Sequence, residues 1–272
     1  EQHGHVIATI RILRSPDGID WTSVSEIVEA GVDLRDPKLS LMPDGRLLLL
    51  TCANLLITEG EDEGQYLTRS PRVCFSADGQ SWSTPVKCLA EDHWLWRVTW
   101  HGDTGYSVSK LGIGNNPRRG FLYRTTNALN WDFVTEFILP DNIWTASETT
   151  VRILPDKTMV ALIRPDWIGV SQPPYHKWDF TRIEQSLGGP NFIVLPNGDM
   201  WACARGAGAD GTAATVLARM TQDTYEAALV LPSGGDCSYA GMVWRDNMLW
   251  ISYYSSHEAE EAGGSSIYLA QV

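Results

Sequence analysis

Apolar residues along this chain come in short runs bounded by turn sequences, and they rarely follow the spacing of an amphipathic helix. The runs are rich in Val, Ile, Leu, Trp and Tyr, and turns such as Pro43-Asp44-Gly45 and Pro196-Asn197-Gly198 separate them. Such runs between turn residues are typical of β-strands. The pattern therefore predicts an all-β fold.

A strand–turn–strand unit recurs along the chain at intervals of about 40 to 60 residues, which is the period of propeller blades. We interpret each copy as the inner hairpin of one blade. The five copies are Lys38–Cys52, Val98–Ser109, Thr149–Arg164, Asn191–Arg205 and Tyr239–Tyr254.

A second repeat, S-x-D-G-x-x-W, lies between these hairpins. It occurs at Ser15–Trp21 and Ser76–Trp82, and a degenerate copy spans Thr125–Trp131. In such a turn the Asp or Asn side chain accepts backbone N–H groups, the Gly takes a positive φ and the Trp packs under the turn. We assign these residues a structural role and none in catalysis.

The first copy of this turn precedes every inner hairpin. It therefore predicts one further blade whose two inner strands lie upstream of Glu1, and the strand Ser266–Val272 would close the last blade. We expect a single domain over residues 1–272: a six-bladed β-propeller whose first blade lacks its inner strands in this chain. A five-bladed ring, with the N-terminal segment folded into the last blade, is the alternative.

The charge balance limits the partners. The 272 residues contain 21 Lys and Arg against 33 Asp and Glu, a net charge of −12. Long-range repulsion disfavours nucleic acid and anionic membranes, whereas a small anionic substrate needs only a few convergent arginines. No apolar run approaches the length of a membrane span. The chain shows no signal peptide, so the compartment stays open, with a secreted or periplasmic protein as one option. The sequence gives no oligomeric state.

Five cysteines are too few and too scattered for a disulfide framework or a zinc site. We predict no metal and no cofactor.

The turn repeat on a propeller pattern resembles the sialidase (neuraminidase) superfamily and its Asp-box repeats. Polar residues on the inner strands extend the resemblance across nearly the whole chain. It implies a nucleophilic tyrosine, a glutamate base and carboxylate-binding arginines. The matching positions are Tyr239, Glu148, Arg164 and, approximately, Arg205, while Leu34-Arg35-Asp36-Pro37 resembles the segment that lines the sugar pocket.

These residue types suit the reaction. The anomeric carbon of a sialoside bears a carboxylate, which would repel a carboxylate nucleophile but does not repel a neutral phenol. A phenol with a pKa of about 10 needs a neighbouring base, and arginine holds a carboxylate bidentately. Sialidases are known exceptions to the two-carboxylate scheme of glycosidases.

The chain departs from the family at the general acid. The family's acidic Asp would fall near Glu1 to His5, where this sequence has no Asp, so Glu1, His3 and His5 are candidates for the role. Trp144 and Trp167 are candidate platforms for the sugar ring.

We expect Arg35, Asp36, Glu148, Arg164, Arg205 and Tyr239 to converge at one end of the propeller axis. The predicted function is a sialidase-like glycoside hydrolase that acts on a small acidic sugar or glycan. Two alternatives remain open. The first is a propeller glycosidase or lyase for another acidic sugar such as a uronate, and it includes a five-bladed enzyme that uses Asp36 and Glu148 as a carboxylate pair. The second is a non-catalytic carbohydrate-binding propeller.

Overall fold

The computed structural model describes residues 7–57, 59–60, 63–112, 119–140, 146–208, 210–258 and 264–272. Its regular structure is β throughout these ranges, with 22 strands in six sheets. None of the residues in these ranges belongs to a helix long and apolar enough to span a membrane. The expectation of an all-β fold is confirmed.

Contacts divide the chain into two compact units. Among the described residues, the N-terminal unit comprises 7–57, 59–60, 63–112 and 122–133, and the C-terminal unit comprises 119–121, 134–140, 146–208, 210–258 and 264–272. The prediction of a single domain over residues 1–272 stays a prediction, and each unit is described by itself.

The first two sheets belong to the N-terminal unit. The two-stranded sheet contains β1 and β2, and the following four-stranded sheet runs β3-β4-β5-β6 in antiparallel order. The strands are β1 (Ile10–Arg14), β2 (Thr22–Ile27), β3 (Val32–Leu41), β4 (Leu47–Leu56), β5 (Tyr66–Ser76) and β6 (Val86–Lys87).

The third sheet has the order β11-β10-β9-β7, with β8 also paired to β9. Its strands are β7 (His93–Leu95), β8 (Thr99–His101), β9 (Thr104–Leu111), β10 (Arg119–Thr125) and β11 (Asp132–Phe137). Apolar side chains fill the space between neighbouring sheets of the N-terminal unit. Ile10 and Leu49 belong to the core between the first and second sheets. Leu50 and Val98 belong to the core between the second and third sheets.

The C-terminal unit contains the remaining three sheets, of orders β12-β13-β14-β15, β16-β17-β18-β19 and β20-β21-β22. The strands are β12 (Thr149–Ile153), β13 (Met159–Ile163), β14 (Trp167–Ser171), β15 (Asp179–Arg182), β16 (Gly188–Val194), β17 (Met200–Ala207), β18 (Ala213–Met220), β19 (Tyr225–Leu231), β20 (Cys237–Arg245), β21 (Met248–Ser255) and β22 (Ser266–Gln271). Phe192 is fully buried against the preceding sheet, and Cys203 and Leu217 are buried against the following one.

All five predicted inner hairpins are present as antiparallel strand pairs, and the predicted C-terminal strand forms β22. Sheets packed in succession form a β-propeller arrangement in which five blades are recognised. The two-stranded sheet of β1 and β2 is the element that the sequence predicts as an incomplete first blade. The count of six blades stays a prediction.

The S-x-D-G-x-x-W turns have the hydrogen bonds that the sequence predicts. Oδ1 of Asp78 accepts the backbone N–H groups of Gln80 at 2.8 Å and Ser81 at 2.7 Å. In the degenerate copy, Oδ1 of Asn127 accepts the N–H groups of Leu129 and Asn130, each at 2.9 Å. The two turns thus have the same hydrogen bonds, but only one of them contains a titratable group.

This difference predicts a pH effect on stability. The hydrogen bonds from Ser81 and Gln80 lower the pKa of Asp78 from 3.8 to about 2. A carboxylate with a lowered pKa in the folded state stabilises the fold above its unfolded pKa and loses that contribution as the pH falls toward the folded value. We expect Asp78→Ala to lower the Tm at pH 7 and to have a much smaller effect near pH 2. Asn127→Ala is the matched control, and its Tm decrease should not change with pH; equal pH dependence in the two variants would contradict the assignment.

Candidate functional site

Two polar side chains of the C-terminal unit, those of Tyr239 and Arg164, meet at the buried carboxylate of Glu148. Its side chain is 6% exposed. The Tyr239 hydroxyl donates to Oε1 of Glu148 at 3.0 Å, and Nη1 of Arg164 donates to Oε2 at 2.8 Å. The same Nη1 lies 3.3 Å from the Tyr239 hydroxyl oxygen, to which it donates. The phenol, the carboxylate and the guanidinium therefore form one closed hydrogen-bonded group.

Strand register brings Glu148 and Arg164 together. Glu148 directly precedes β12, Arg164 directly follows β13, and Thr149 pairs with Ile163. The backbone N–H of Arg164 donates to the carbonyl of Glu148 at 3.1 Å, which extends the ladder by one residue. The turn at residues 155–157 sets this register, because it fixes which residues of the two strands face each other.

A bulge in β20 presents Tyr239 to this carboxylate. The pairing with β21 shifts between Ser238 and Gly241, and both Ser238 (φ 88°) and Tyr239 (φ 56°) have a positive φ. Positive φ is unfavourable for residues with a side chain and persists where the surrounding structure enforces it. The bulge re-aims the Tyr239 side chain, as bulges beside active sites commonly do.

Two glycines at the start of β16 allow Tyr239 and Arg205 to approach closely. A Cβ atom at Gly189 would lie 2.6 Å from Cγ of Tyr239, and one at Gly188 would lie 2.9 Å from Nε of Arg205. The N–H of Gly189 also donates to Oε2 of Glu148 at 2.9 Å. The Gly188-Gly189 pair therefore sets the space that the phenol occupies and supplies one further donor to the carboxylate.

A second group of paired acidic and basic side chains lies beside the Tyr239 ring. Nη1 of Arg205 donates to Oδ1 of Asp236 at 2.6 Å, and the Tyr254 hydroxyl donates to the same oxygen at 2.7 Å. The Arg205 guanidinium lies 5.8 Å from the centre of the Tyr239 ring, within the range of a cation–π contact. Each arginine of the site is thus paired with one carboxylate.

Burial and charge both act on these groups. Burial lowers the pKa of Arg164, but its interactions with the Glu148 carboxylate and the Tyr239 hydroxyl outweigh burial and hold the pKa above its ordinary value. The pKa of Arg205 is also raised, because Tyr239, Tyr254 and Asp236 outweigh the effect of burial. Burial and then the hydrogen bond to Asp236 raise the pKa of Tyr254, which keeps that hydroxyl protonated. Both arginines remain cations.

Four predicted site residues, Glu148, Arg164, Arg205 and Tyr239, therefore lie together in the C-terminal unit. Arg35 and Asp36 lie in β3 of the N-terminal unit, where Nε of Arg35 contacts Oδ2 of Asp33 at 2.8 Å. The register of β3 shifts between Arg35 and Lys38, and Asp36 has a φ of 52°. Their convergence with the other four residues stays a prediction.

The remaining candidates from the sequence are Trp167, Glu1, His3, His5 and Trp144. Trp167 lies in β14 with 5% of its surface exposed, and the Arg182 guanidinium lies 5.7 Å from its ring centre. Its role as a sugar platform stays a prediction. Glu1, His3, His5 and Trp144 lie outside the described residues.

Sequence reasoning missed Gly188, Gly189, Asp236 and Tyr254. The dipeptide Gly188-Gly189 directly before Pro190 is a signal that backbone must approach another group closely, and it could have been noticed. Asp236 and Tyr254 follow no pattern in the sequence that distinguishes them from other turn and strand residues.

Solved structures of similar fold are known at low sequence identity. A protein of unknown function from Dyadobacter fermentans matches with a TM-score of 0.77 and 15% identity, over 95% of this chain and 82% of that chain. An α-L-arabinofuranosidase from Fusarium graminearum matches with a TM-score of 0.73 and 14% identity, over 96% and 84%. The Trypanosoma rangeli sialidase in complex with sialic acid matches with a TM-score of 0.66 and 12% identity, over 93% and 47%.

These similarities show a shared β-propeller fold. No protein-family model matches the chain, and no curated protein matches its sequence.

Proposed function

We propose that this protein is a glycoside hydrolase of the sialidase type, which removes a terminal sialic acid with Tyr239 as the nucleophile. The observation that carries the proposal is the 3.0 Å hydrogen bond from the Tyr239 hydroxyl to Oε1 of Glu148. A nucleophile within hydrogen-bond reach of a base, with the base oriented by a third group, is the arrangement of an activated nucleophile. Arg164 and the N–H of Gly189 orient the base here.

The chemistry follows from this contact. The Tyr239 oxygen attacks the anomeric carbon while its proton passes to Glu148, and the leaving oxygen takes a proton from a general acid as its bond to the sugar breaks. Water then attacks the anomeric carbon and gives a proton back to that acid. The bond between Tyr239 and the sugar breaks, and Glu148 returns its proton to the phenol oxygen. Nη1 of Arg164, 3.3 Å from the phenol oxygen, stabilises the negative charge that develops there.

The arginines are the groups proposed to hold the substrate's carboxylate. The side chains of Arg164 and Arg205 are 32% and 26% exposed, so each presents part of its guanidinium to a ligand while it remains paired with an acid. A guanidinium offers five donors, and one ion pair does not use them all. We further propose that Arg35 and Asp36 contribute to the same pocket and that His3 or His5 supplies the general acid.

One feature favours a second candidate. Five blades are recognised, and the five-bladed alternative is a glycosidase for another acidic sugar that uses Asp36 and Glu148 as its two carboxylates. In that enzyme Tyr239 is not the nucleophile, and its hydroxyl only positions Glu148. Replacement of the phenol therefore separates the two candidates.

A panel of fluorogenic glycosides tests the proposed function. We expect turnover of an α-sialoside and little turnover of a β-glucuronide or an α-L-arabinofuranoside, because a phenol nucleophile suits an anomeric carbon that bears a carboxylate. Glu148→Gln is the control for contaminating activity, and it should abolish the signal. Turnover of the uronide alone would select the second candidate, and tight binding of sialic acid without any turnover would show a carbohydrate-binding propeller.

A further inference from the structure

Outside the site described above, two cations lie close to the indole of one tryptophan of the N-terminal unit. The Lys110 ammonium lies 4.2 Å from the centre of a Trp94 ring, and the Arg69 guanidinium lies 5.3 Å from it. All three side chains are partly exposed. We call this group the Trp94 niche; it consists of Arg69, Trp94 and Lys110.

Backbone pairing holds the three residues in place. Trp94 of β7 is directly opposite Lys110 of β9. Arg69 comes from β5 of the neighbouring sheet, where its carbonyl accepts the N–H of Asp92 at 2.7 Å. Nη2 of Arg69 donates to the carbonyl of Gly112, just beyond the end of β9. The niche is therefore built from strands of two sheets. The hydrogen bond to Gly112 holds Arg69 beside the end of β9, the strand that contains Lys110.

The positive field of the niche reaches the protein interior. Burial raises the pKa of the Cys52 thiol to about 12. The positive charges of Arg69 and Lys110 lower this pKa, and the negative charge of Asp36 raises it. A second cation–indole pair lies deeper in the same unit, where Nζ of Lys38 is 4.0 Å from a Trp96 ring centre. Trp94 and Trp96 are two residues apart, the spacing at which side chains of an extended chain share a face.

We propose that the Trp94 niche is a binding site for one carboxylated sugar unit, separate from the chemistry of Tyr239. An arginine fork and an ammonium are the donors that suit a carboxylate, and an indole offers an apolar surface to the C–H groups of a sugar ring.

A single sugar unit fits the niche better than a nucleic acid does. Stacking on aromatic residues beside cations also binds single-stranded nucleic acid, but that mode needs a positively charged groove along several nucleotides. The chain carries a net charge of −12, and the niche consists of three side chains. The carboxylated sugar is therefore the ligand we test, and an oligonucleotide is a competing probe.

Fluorine NMR of protein labelled with 5-fluorotryptophan provides a readout at Trp94 itself, with the resonance assigned by Trp94→Phe. Galacturonate, glucuronate and N-acetylneuraminate are titrated separately, with galactose as the neutral comparison. We expect at least one acidic sugar to shift the Trp94 resonance saturably and galactose to leave it unchanged. The resonance of Trp131, whose Nε1 donates to the carbonyl of Ala128 at 3.0 Å, serves as the internal reference.

Variants show whether the cations bind the ligand. Lys110→Gln should weaken binding about tenfold, as expected for the loss of one charge-assisted hydrogen bond, and Lys110→Arg should restore most of it. Lys87→Gln is the matched control, because Lys87 is an exposed cation that pairs with Glu91 at 3.1 Å. Tyr239→Phe should leave the titration unchanged, so failure of this proposal and failure of the proposed hydrolase are distinguishable.

Three results would overturn the proposal: no saturable Trp94 shift with any of the three acidic sugars, the same affinity in Lys110→Gln as in the parent protein, or an equal shift with galactose. A Trp94 shift with a thymidine hexanucleotide, without one for the acidic sugars, would assign the niche to nucleic acid and would also overturn it.

Discussion

Tyr239→Phe is expected to lower kcat by at least about a thousandfold while it leaves the dissociation constant for the product sugar within about threefold, because the phenol oxygen forms its bond only in the transition state. The phenyl ring of this variant would fill the same space beside Gly189, so the packing of the site should be retained. Single-turnover rates and calorimetric binding measure the two quantities separately.

Tyr253→Phe is the matched control for this experiment. Its hydroxyl donates to the carbonyl of Pro232 at 2.9 Å, and its loss removes one hydrogen bond without touching Glu148. We expect a lower Tm and nearly normal turnover. Full activity in Tyr239→Phe would end the assignment of the nucleophile, and a loss of activity in Asp36→Asn would then support the two-carboxylate candidate.

Gly189→Ala is expected to reduce turnover by at least about a hundredfold, since displacement of a reacting group by about 1 Å can have an effect of that size. The new Cβ would lie 2.6 Å from Cγ of Tyr239, and the residue has a φ of 57°. The positive φ alone destabilises an alanine by about 1–2 kcal/mol. The ring of Tyr239 must move away from Glu148, and activity and urea unfolding together report both effects.

Gly198→Ala separates the conformational cost of the positive φ from the steric effect of the new Cβ on Tyr239. Gly198 has a φ of 91°, and a Cβ there meets nothing within 4 Å. This variant should therefore show the conformational destabilisation with unchanged kcat. If Gly189→Ala and Gly198→Ala had equal activity, Gly189 would not be setting the position of the nucleophile.

The pair Glu148 and Arg164 could be predicted because regular pairing places them. The turn Pro155-Asp156-Lys157 fixes the register of β12 and β13, so the residues just outside the two paired strands must be neighbours. Tyr239 could be located on its strand by its resemblance to the sialidase segment. The contact of its hydroxyl with Glu148 depends on a bulge, and the sequence shows no general signal for that irregularity.

Partners of the arginines were harder to predict. Arg164 pairs with Glu148, whereas Asp166, only two residues further along the chain, pairs with Arg182. Arg35 pairs with Asp33. Residues two apart on a strand share a face, so the Arg35–Asp33 contact follows from the period of the strand. The pairing of Arg205 with Asp236 depends instead on how two separate sheets pack.

The five cysteines are buried thiols, and burial raises the pKa of Cys52, Cys74, Cys88 and Cys203 to about 12. Thiolate is the reactive species toward alkylating reagents, so these positions should remain unmodified in the folded protein at neutral pH. The native cysteines are therefore not expected to react in a thiol-labelling experiment on the folded protein. A single cysteine introduced at an exposed turn such as Asp103 could carry a fluorophore without removal of any native cysteine.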